Sequence, residues 1–384
     1  MAKKKIGWYW VWVTTSLLFR LFLIYFPKDL NFTSRPEVST PLTSLRRLAE
    51  GYWLKQSSLS PYAGSMYHAS PLLLSILGPL TVIRLEGQPS HLFCSLLFVV
   101  ADFFTAVLIR ATGQKLQDAY SILPAGDVAS LIYLWNPLTI VSCVGLSTSP
   151  VENLMVVLTL YGACSGLAPL AAFGWVTASH LSLYPSVLLI PVILLLGYGP
   201  DAPSRKLFLQ KGSRTNGNKP PLAGRSFSWR PVIYFLLWAA IWAVYVLFLC
   251  SISLKQYGGL SEMFKRTHGF ILTVEDLSPN IGVLWYFFAE VFEFFREFFL
   301  IVFHVNILFM ILPLAIRLNH RPCFLAFVYI AISSMLKSYP SVGDPALYLA
   351  LLGWFVTELA GYGECKLLLC DGNWLCLFAD NSGG

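Results

Sequence analysis

The chain has 384 residues, of which 56% are apolar and only 12% charged, and its formal net charge is +7. Soluble domains carry about 25% charged residues, so this chain has too little charge to cover a water-facing surface of its size. Intrinsic disorder is excluded as well, because it requires low hydrophobicity and high charge. We therefore expect a protein embedded in lipid, and at about 20 residues per membrane helix its length accommodates roughly eight to eleven spans.

The amino-terminal segment predicts a retained first span. Three lysines at positions 3–5 precede an apolar run over residues 7–26 that only Arg20 interrupts. No small-residue cleavage site follows, so we interpret the run as a membrane helix rather than a signal peptide. The positive-inside rule places its lysine end in the cytosol. Arg20 lies near the opposite end, where we expect its side chain to reach the membrane interface.

Residues 27–70 then form a polar first loop on the lumenal side. The triplet Asn31-Phe32-Thr33 in this loop is a glycosylation sequon, which is usable only in the lumen. Residues 71–85 are apolar but too short for a full crossing, so they predict an interfacial or re-entrant helix. Residues 91–111 are long enough to cross the bilayer and contain Asp102.

The middle of the chain alternates apolar runs with one basic loop. The runs cover residues 126–145, 154–169 and 171–196, the last broken at Tyr184-Pro185. Residues 199–230 hold seven lysines and arginines against one acid, Asp201, which indicates a cytosolic loop. Binding of nucleic acid by this loop is a weaker alternative, because few aromatic residues lie among the charges.

The last third begins with a crossing over residues 232–254, which places residues 255–282 outside the cytosol. Residues 283–316 are too long for one upright span, so we predict an interfacial first half followed by a crossing. The basic turn at 317–322 is predicted to be cytosolic, and residues 323–336 and 345–359 form a last pair of apolar segments. We expect one membrane domain over residues 1–352 and a separate tail over 353–384.

Ionisable groups inside apolar runs are the candidates for function, because burying each one in a membrane is costly. They are Asp102, Glu152, Lys337, Asp344 and the group Glu290, Glu293, Arg296 and Glu297. The last group can share one helix face that grips a headgroup or a partner, or it can be a solvated interfacial face. Two prolines and a glycine break the helix over residues 337–345, which either line a site for a polar ligand or form an ordinary lumenal turn.

The sequence contains no motif that indicates zinc binding, hydrolysis or solute transport. The eight cysteines form no pattern of paired CxxC motifs, so a structural zinc site is not expected. We also find no nucleophile elbow and no paired cysteine–histidine signature. A transporter with inverted halves is disfavoured, because the broken helices do not occur in matching halves. No catalytic residue, metal or cofactor is therefore predicted.

Several longer motifs occur in order from about residue 35 to about residue 350. They are residues 68–73 (HASPLL), 134–143 (LWNPLTIVSC), 183–185 (LYP), 276–290 (DLSPNIGVLWYFFAE), 313–318 (PLAIRL) and 337–344 (KSYPSVGD), with Gly51 and residues 60–62 (SPY) in the first loop. This set resembles the PIG-U family of GPI transamidase subunits.

The resemblance implies a multi-pass protein of the endoplasmic reticulum membrane. It implies an all-α bundle of roughly eight to ten spans, similar to the GT-C glycosyltransferases. Its partners would be the other transamidase subunits, including the cysteine-protease-like catalytic subunit PIG-K, and the membrane, but not nucleic acid. The chain itself would be non-catalytic and would help hold the GPI lipid or the C-terminal attachment signal. The candidate cavity residues are Asn136, Tyr184, Pro185, Pro279, Asn280, Lys337, Tyr339, Pro340 and Asp344.

The alternative function is a GT-C-type mannosyltransferase that uses dolichol-phosphate mannose. Such enzymes place an acidic pair early in the first lumenal loop, whereas Asp29 and Glu37 lie far apart here and no DxD motif is present. The sequence also leaves the family pattern from about Gly353. We therefore expect an altered or truncated carboxyl-terminal form, in which ligand residues of the last family spans have no counterpart.

Overall fold

The computed structural model describes residues 2–26, 32, 35–64, 66–82, 84–85, 88–89, 91–116, 124–200, 227–276, 278–290 and 295–356. Helices make up most of this part of the chain. They are α1 (Ala2–Tyr25), α2 (Leu45–Gln56), α3 (Pro71–Thr81), α4 (Leu92–Leu116), α5 (Ala125–Trp135), α6 (Pro137–Val144), α7 (Ser149–Cys164), α8 (Ala168–Leu181), α9 (Leu189–Tyr198), α10 (Trp229–Ser253), α11 (Gly259–Phe264), α12 (Phe270–Thr273), α13 (Val283–Glu290), α14 (Arg296–Arg317), α15 (Pro322–Leu336) and α16 (Gly343–Leu352).

Shorter elements connect several of these helices. A 3₁₀ helix covers Tyr184–Leu188, a π-helical turn covers Lys265–Gly269, and a second 3₁₀ helix covers Gly353–Phe355. The strands β1 (Arg84–Leu85) and β2 (Gln88–Pro89) form a two-stranded antiparallel hairpin. The predicted helical class is thus confirmed for the described residues, with this hairpin as an addition.

Among the described residues, four helices are long and apolar enough to cross a membrane, namely α1 from Gly7 onward, α4, α10 and α14. The pair α5 and α6 qualifies as a fifth span if the two are counted together across their 49° bend. The protein is therefore polytopic. The remaining apolar helices of the described segments are shorter, so their lengths leave the predicted eight to ten spans a prediction.

The broken helices follow directly from local sequence. At the bend between α5 and α6, Asn136 is extended and its side-chain Oδ1 accepts a hydrogen bond from the Leu138 amide at 3.0 Å. Pro137 occupies the first turn of α6, where its missing N–H costs nothing. Within residues 283–316, α13 ends at Glu290 and the long helix α14 starts at Arg296, and residues 291–294 between them lie outside the described ranges.

The core lies where α4 packs on α5 and α7, α7 packs on α8, and α8 packs on α10. Lipid gives little hydrophobic drive for helix association, so small residues that allow close approach become important. Gly113 of α4 lies against the backbone of Gly126 in α5, and Gly162 of α7 lies against Ala171 of α8. A β-carbon added at Gly126 would be 2.4 Å from the carbonyl oxygen of Arg110. These contacts fix the spacing of the central helices.

Two backbone hydrogen bonds attach the first loop to the segments that directly precede α7 and α16. The Thr148 amide donates to the Thr43 carbonyl at 2.9 Å, just before α7. The Val342 amide donates to the Glu37 carbonyl at 3.3 Å, just before α16. The loop after α1 therefore covers the region where α7 and α16 begin.

Several predictions concern residues outside the described ranges. They are the sequon residues Asn31 and Thr33, most of the basic loop at 201–226, Asp29, Glu293 and the tail after residue 356.

Candidate binding site at a helix break

The break between α15 and α16 is buried inside the protein rather than exposed as a surface turn. Lys337 is 3% exposed, and Ser338, Tyr339 and Ser341 are each 1% exposed or less. Lys337 leaves the helix in an extended conformation directly after Leu336. Irregular backbone at membrane depth is stable only where protein or a water-filled cavity satisfies it. Of the two interpretations of this segment, its burial favours a site over an ordinary turn.

Lys337 is the centre of a charged cluster that we call the charge triad, consisting of Glu152, Lys337 and Asp344. Its Nζ donates to Oε1 of Glu152 and to Oδ1 of Asp344, each at 3.0 Å. Asp344 also accepts hydrogen bonds at Oδ2 from the Ser341 amide at 2.7 Å and the Ser341 hydroxyl at 3.1 Å. One ammonium group is thus shared by two carboxylates from different parts of the chain.

The charge triad lines a small cleft with a volume of about 30 Å³. The walls come from α7, the 3₁₀ helix before α9, α15 and α16. The lining residues are Glu152, Asn153, Val156, Tyr184, Pro185, Leu188, Ile330, Ser333, Ser334, Lys337, Asp344 and Leu347. The cleft therefore has one polar, charged end and an apolar remainder.

Tyr184 connects the two helix breaks that border this cleft. Its hydroxyl accepts a hydrogen bond from the Ser338 amide at 2.8 Å and lies 2.9 Å from the Ser338 hydroxyl. Tyr184 begins the 3₁₀ helix, and Pro185 lies in its first turn. The Leu183-Tyr184-Pro185 break and the Lys337–Asp344 break, predicted separately from the sequence, therefore form one site.

Of the nine predicted cavity residues, the structure brings four together in this cleft: Tyr184, Pro185, Lys337 and Asp344. The other five do not line it. Asn136 caps α6, as described above, and Pro279 is exposed. Asn280 accepts from the Gly282 amide at 2.8 Å and so shapes its own turn.

Tyr339 and Pro340 point away from the cleft into a second packed region. The Tyr339 ring stacks on Phe270 with centroids 5.1 Å apart, and its hydroxyl accepts a hydrogen bond from the Asp276 amide at 3.1 Å. Pro340 lies against Gly282. These two residues hold the segment that carries residues 276–282 against the helix break.

Sequence reasoning singled out Glu152 as a buried charge but did not place it with Lys337. The two residues are 185 positions apart, and nothing local in the sequence pairs them. Asn153, Ser333 and Ser334 were not predicted as lining residues. The only signal for them is their position on apolar helices, next to Glu152 in α7 and just before Lys337 in α15.

The prediction that Arg20 reaches the membrane interface is wrong. Its side chain is 0% exposed and lies 3.6 Å from Asp102, measured from Nε to Oδ2. Its other nitrogens donate to the hydroxyls of Ser16 at 2.5 Å and Thr139 at 3.2 Å. The buried carboxylate of Asp102, on the neighbouring helix α4, compensates the charge of Arg20 inside the bundle, and Ser16 and Thr139 accept hydrogen bonds from the guanidinium.

A polar chain joins this ion pair to the charged cleft. The Tyr133 hydroxyl donates to Oδ1 of Asp102 at 2.8 Å. Asn153 Nδ2 lies within 3.4 Å of the Tyr133 hydroxyl and donates to the Gly343 carbonyl at 3.3 Å. Gly343 begins α16, next to Asp344 of the charge triad. The two buried ionic groups therefore belong to one connected polar interior.

The segment around Asp276 is anchored to the first loop. Arg47 of α2 donates to Oδ2 of Asp276 at 2.9 Å, and the Ser278 amide donates to Oδ1 at 2.9 Å. Burial favours the neutral acid, but the hydrogen bonds from Ser278 and Arg47 outweigh it and lower the pKa of Asp276 below its ordinary value.

The predicted group of Glu290, Glu293, Arg296 and Glu297 lies near the junction of α13 and α14, and its described members have different surroundings. Arg296 donates to the backbone carbonyls of Thr273 and Val274. Glu290 and Glu297 are exposed. The described members of this group therefore do not line the cleft. Within the described residues, no group of three or more His, Cys, Asp or Glu side chains is arranged to hold a metal ion.

A sequence model of the family described as "GPI transamidase subunit PIG-U" matches residues 14–377 of the chain. The chain belongs to the PIG-U family. The match includes part of the tail after Gly353 that the sequence analysis expects to diverge. Family membership is therefore supported along most of the chain rather than by one motif.

Individual relatives agree with this assignment. The chain is 33% identical to the human "GPI-anchor transamidase component PIGU", over 83% of this chain and 72% of the human protein. It is 28% identical to the Saccharomyces cerevisiae "GPI transamidase component GAB1", over 85% of this chain and 72% of the yeast protein. A shorter similarity, 28% over 36% of this chain, links it to the Debaryomyces hansenii "GPI mannosyltransferase 1". As a PIG-U family member, the chain is a component of GPI transamidase with multiple membrane spans.

Proposed function

We propose that this chain is a non-catalytic subunit of GPI transamidase that holds the polar headgroup of the GPI lipid, or part of the attachment signal, in the cleft at the charge triad. The observation that carries the proposal is the buried helix break at residues 337–342, with Lys337 between Glu152 and Asp344. Three ionisable groups buried at a break are costly for a membrane protein, and such groups usually serve a ligand. The apolar remainder of the cleft suits the hydrophobic part of such a ligand.

The proposed setting follows from the family. The chain would lie in the endoplasmic reticulum membrane as a GT-C-like bundle of eight to ten spans, in contact with the other transamidase subunits. Catalysis would be carried out by the cysteine-protease-like subunit. The long exposed apolar faces of α10 and α14 supply surface for packing against lipid or partner helices.

Replacement of Asp344 tests the proposal. In cells that lack the endogenous subunit, Asp344→Ala should reduce attachment of a GPI-anchored reporter while the protein still co-purifies with the complex. Complete GPI lipid and uncleaved precursor should accumulate together. Glu262→Gln, a surface carboxylate paired with Arg266 on α11, serves as the matched control and should leave attachment unchanged. Normal attachment in the Asp344→Ala cells would contradict a site at the charge triad.

A second candidate function is transfer of mannose, and the similarity to a GPI mannosyltransferase over 36% of the chain favours it. In the described stretch of the first loop that precedes α2, residues 35–44, Glu37 is the only acidic residue. A lone carboxylate without a partner or a metal is a poor general base. If the chain transfers mannose, Glu37→Gln should abolish sugar transfer by the purified protein, and cells should accumulate GPI precursors that lack mannose. Lipid profiling therefore separates the two functions.

A further inference from the structure

One polar side chain lies on the outer surface of a membrane span without a hydrogen-bond partner. Asn306 lies midway along the 22-residue helix α14, and its side chain is exposed. It makes no hydrogen bond with the described residues. At 1.5 Å per residue it lies about 15 Å from either end of α14, near the middle of a hydrocarbon core about 30 Å thick. Its amide group, with two N–H donors and one acceptor oxygen, therefore faces a region where lipid offers neither.

A second polar group on the same face lacks its helical partner. Pro313 lies inside α14 and has no N–H, so the carbonyl of Phe309, four residues earlier, loses its usual backbone donor. Within a membrane, neighbouring helices or side chains satisfy a carbonyl of this kind. The side chain of Phe309 is 74% exposed, so the described part of the bundle leaves this turn uncovered.

Both groups belong to one stripe along α14. We define the outer stripe of α14 as Val302, Asn306, Phe309, Pro313 and Ile316, which follow one another at intervals of four and three residues. All five residues are exposed and lie on the side of the helix away from buried Leu300 and Ile307. Membrane helices commonly pack side by side with this spacing, and a single asparagine in such a stripe fixes the register of the partner.

Helix α10 provides the comparison with a span that suits lipid. Its exposed residues between positions 236 and 244 are Leu236, Leu237, Trp238, Ala240, Ile241 and Val244. None of them carries a side-chain amide or a charge. Helix α14 is also the least buried of the four long spans, with 11% of its most apolar stretch buried, compared with 50% for α4. The span with the largest open surface is thus the one that carries an amide at mid-depth.

Helix α1 shows how an exposed polar group in a span can be satisfied locally. The hydroxyls of Thr14 and Thr15 each donate to a backbone carbonyl one turn earlier, at 2.9 Å and 2.8 Å. Asn306 makes no equivalent bond to its own helix. Its donors and its acceptor therefore require a group from outside the described part of the chain.

We propose that the outer stripe of α14 is an interface inside the bilayer, covered by a membrane-spanning helix of another transamidase subunit that hydrogen-bonds to the amide of Asn306. Membership of the PIG-U family makes this chain a component of a transamidase, so other subunits lie beside it. A lipid chain would cover the apolar residues but would leave the amide unpaired. The inference is independent of the cleft at the charge triad.

The stripe also defines what the partner helix must carry. At the depth of Asn306 it needs a polar side chain, such as asparagine, glutamine, serine, threonine or histidine. Phe309 projects from the stripe one turn further along, so the partner needs a small residue there to approach closely.

Photocrosslinking in cells tests the interface. The full chain, expressed in cells that lack the endogenous subunit, carries a photoreactive phenylalanine analogue in place of Phe309. Irradiation should join it to the membrane-spanning segment of another transamidase subunit, identified by peptide mass spectrometry. The matched control places the analogue at Val244 of α10, which is 68% exposed and should give lipid adducts without that product. Adducts of position 309 with lipid alone, with a second copy of this chain or with the chain itself would overturn the inference.

Substitution of Asn306 tests the hydrogen bond. Asn306→Leu should lower the recovery of the crosslinked subunit with this chain by about threefold or more, as expected for one interhelical hydrogen bond in a membrane. Asn306→Gln keeps an amide and should retain most of the recovery. The control is Asn319→Leu in the exposed turn after α14, which should leave recovery unchanged. Unchanged recovery in Asn306→Leu would overturn the inference.

Thermal unfolding separates this effect from misfolding. The isolated chain gives Asn306 no partner, so Asn306→Leu should not lower its melting temperature in detergent, and a clear decrease would overturn the inference. The result is also distinguishable from the proposed function. Asp344→Ala should impair attachment while co-purification persists, whereas Asn306→Leu should impair co-purification itself.

Discussion

The guanidinium group of Arg20 and the carboxylate of Asp102 form an ion pair that is shielded from solvent, with side-chain exposures of 0% and 1%. The pair joins α1 to α4, and Tyr133 adds a hydrogen bond from α5. Helix α1 therefore meets the consecutive helices α4 and α5 at one buried charge pair. Through Asn153 the same interior reaches the start of α16 and the charged cleft.

We expect Asp102→Asn to lower the free energy of unfolding by about 3–5 kcal/mol, because it leaves the buried Arg20 cation without an anionic partner. The Oδ1 atom of asparagine can still accept the hydrogen bond from Tyr133, so the substitution removes only the negative charge. Thermal unfolding of the purified protein in detergent measures the effect. The matched control is Asp127→Asn, which removes the partly exposed partner of Arg110 and should cost about 0–1 kcal/mol. Equal losses in the two variants would argue against a shielded pair.

The double variant Arg20→Met with Asp102→Leu should recover much of the stability lost in Asp102→Asn. Replacing both members of a buried ion pair by apolar side chains is often neutral, since neither charge then needs compensation. If the double variant is as unstable as Asp102→Asn, the loss comes from packing and not from the unpaired charge.

The ion pair of Arg47 with Asp276 should protect residues 274–282 from hydrogen exchange in a pH-dependent way. Because the pKa of Asp276 is lowered, the stabilisation is fully present above the ordinary aspartate range and is lost as pH falls through the lowered pKa. Arg47→Gln should raise exchange about two- to fivefold at neutral pH, as expected for about 0.5–1 kcal/mol from a partly exposed pair. The neighbouring exposed Arg46→Gln is the control. A difference that persists unchanged at acidic pH would contradict this origin.

Cys164 at the end of α7 and Cys323 at the start of α15 should form a disulfide under mild oxidation. Their sulfur atoms are 3.4 Å apart and both side chains are buried. Treatment of membranes with copper–phenanthroline should couple the two thiols, with copper(II) accepting the two electrons, and peptide mass spectrometry would identify the linked pair. Cys164→Ser should abolish the product, whereas Cys94→Ser should not. Linkage of either cysteine to a different partner would show that α7 and α15 pack otherwise.

Gly126→Ala should destabilise the protein by about 1–3 kcal/mol, the usual cost of overpacking a tight contact. The added β-carbon would lie 2.4 Å from the Arg110 carbonyl and within the backbone of α4, which cannot yield locally. Gly7→Ala is the matched helix control, because nothing lies within 4 Å of its added β-carbon. Thermal unfolding in detergent distinguishes the two variants, and similar melting temperatures would contradict the close approach of α4 and α5.

Sequence patterns located the places where the helices break, and the structure shows why this was possible. Pro185 lacks a backbone donor and so favours a break, although Pro79 and Pro313 lie inside α3 and α14. The same local reasoning found the break after Leu336. It failed for Arg20, because whether a long cation reaches the interface depends on which groups lie beside it, and Asp102 is 82 positions away in the sequence.

In the candidate site, too, sequence patterns predicted the local breaks but not the contacts between distant residues. Lys337 and Asp344 were predicted together because they flank one broken segment, and Tyr184 and Pro185 because they form another. Asn280 and Pro340 resemble ligand residues in sequence, since they also lie at breaks, but in the structure they shape turns and packing. A break identifies irregular backbone and does not reveal which side of it faces a cavity.

Composition alone determined that the chain belongs in a membrane, because too few charges are available to cover it in water, and the ordered motifs determined its family. Tertiary structure alone decided which buried charges compensate each other. Lys337 meets Glu152 across 185 positions, and the charge triad exists only once α7, α15 and α16 are assembled. The reason is physical: Coulomb energy depends on separation in space, and in a water-excluded interior it acts strongly only between groups that the fold brings within a few ångströms.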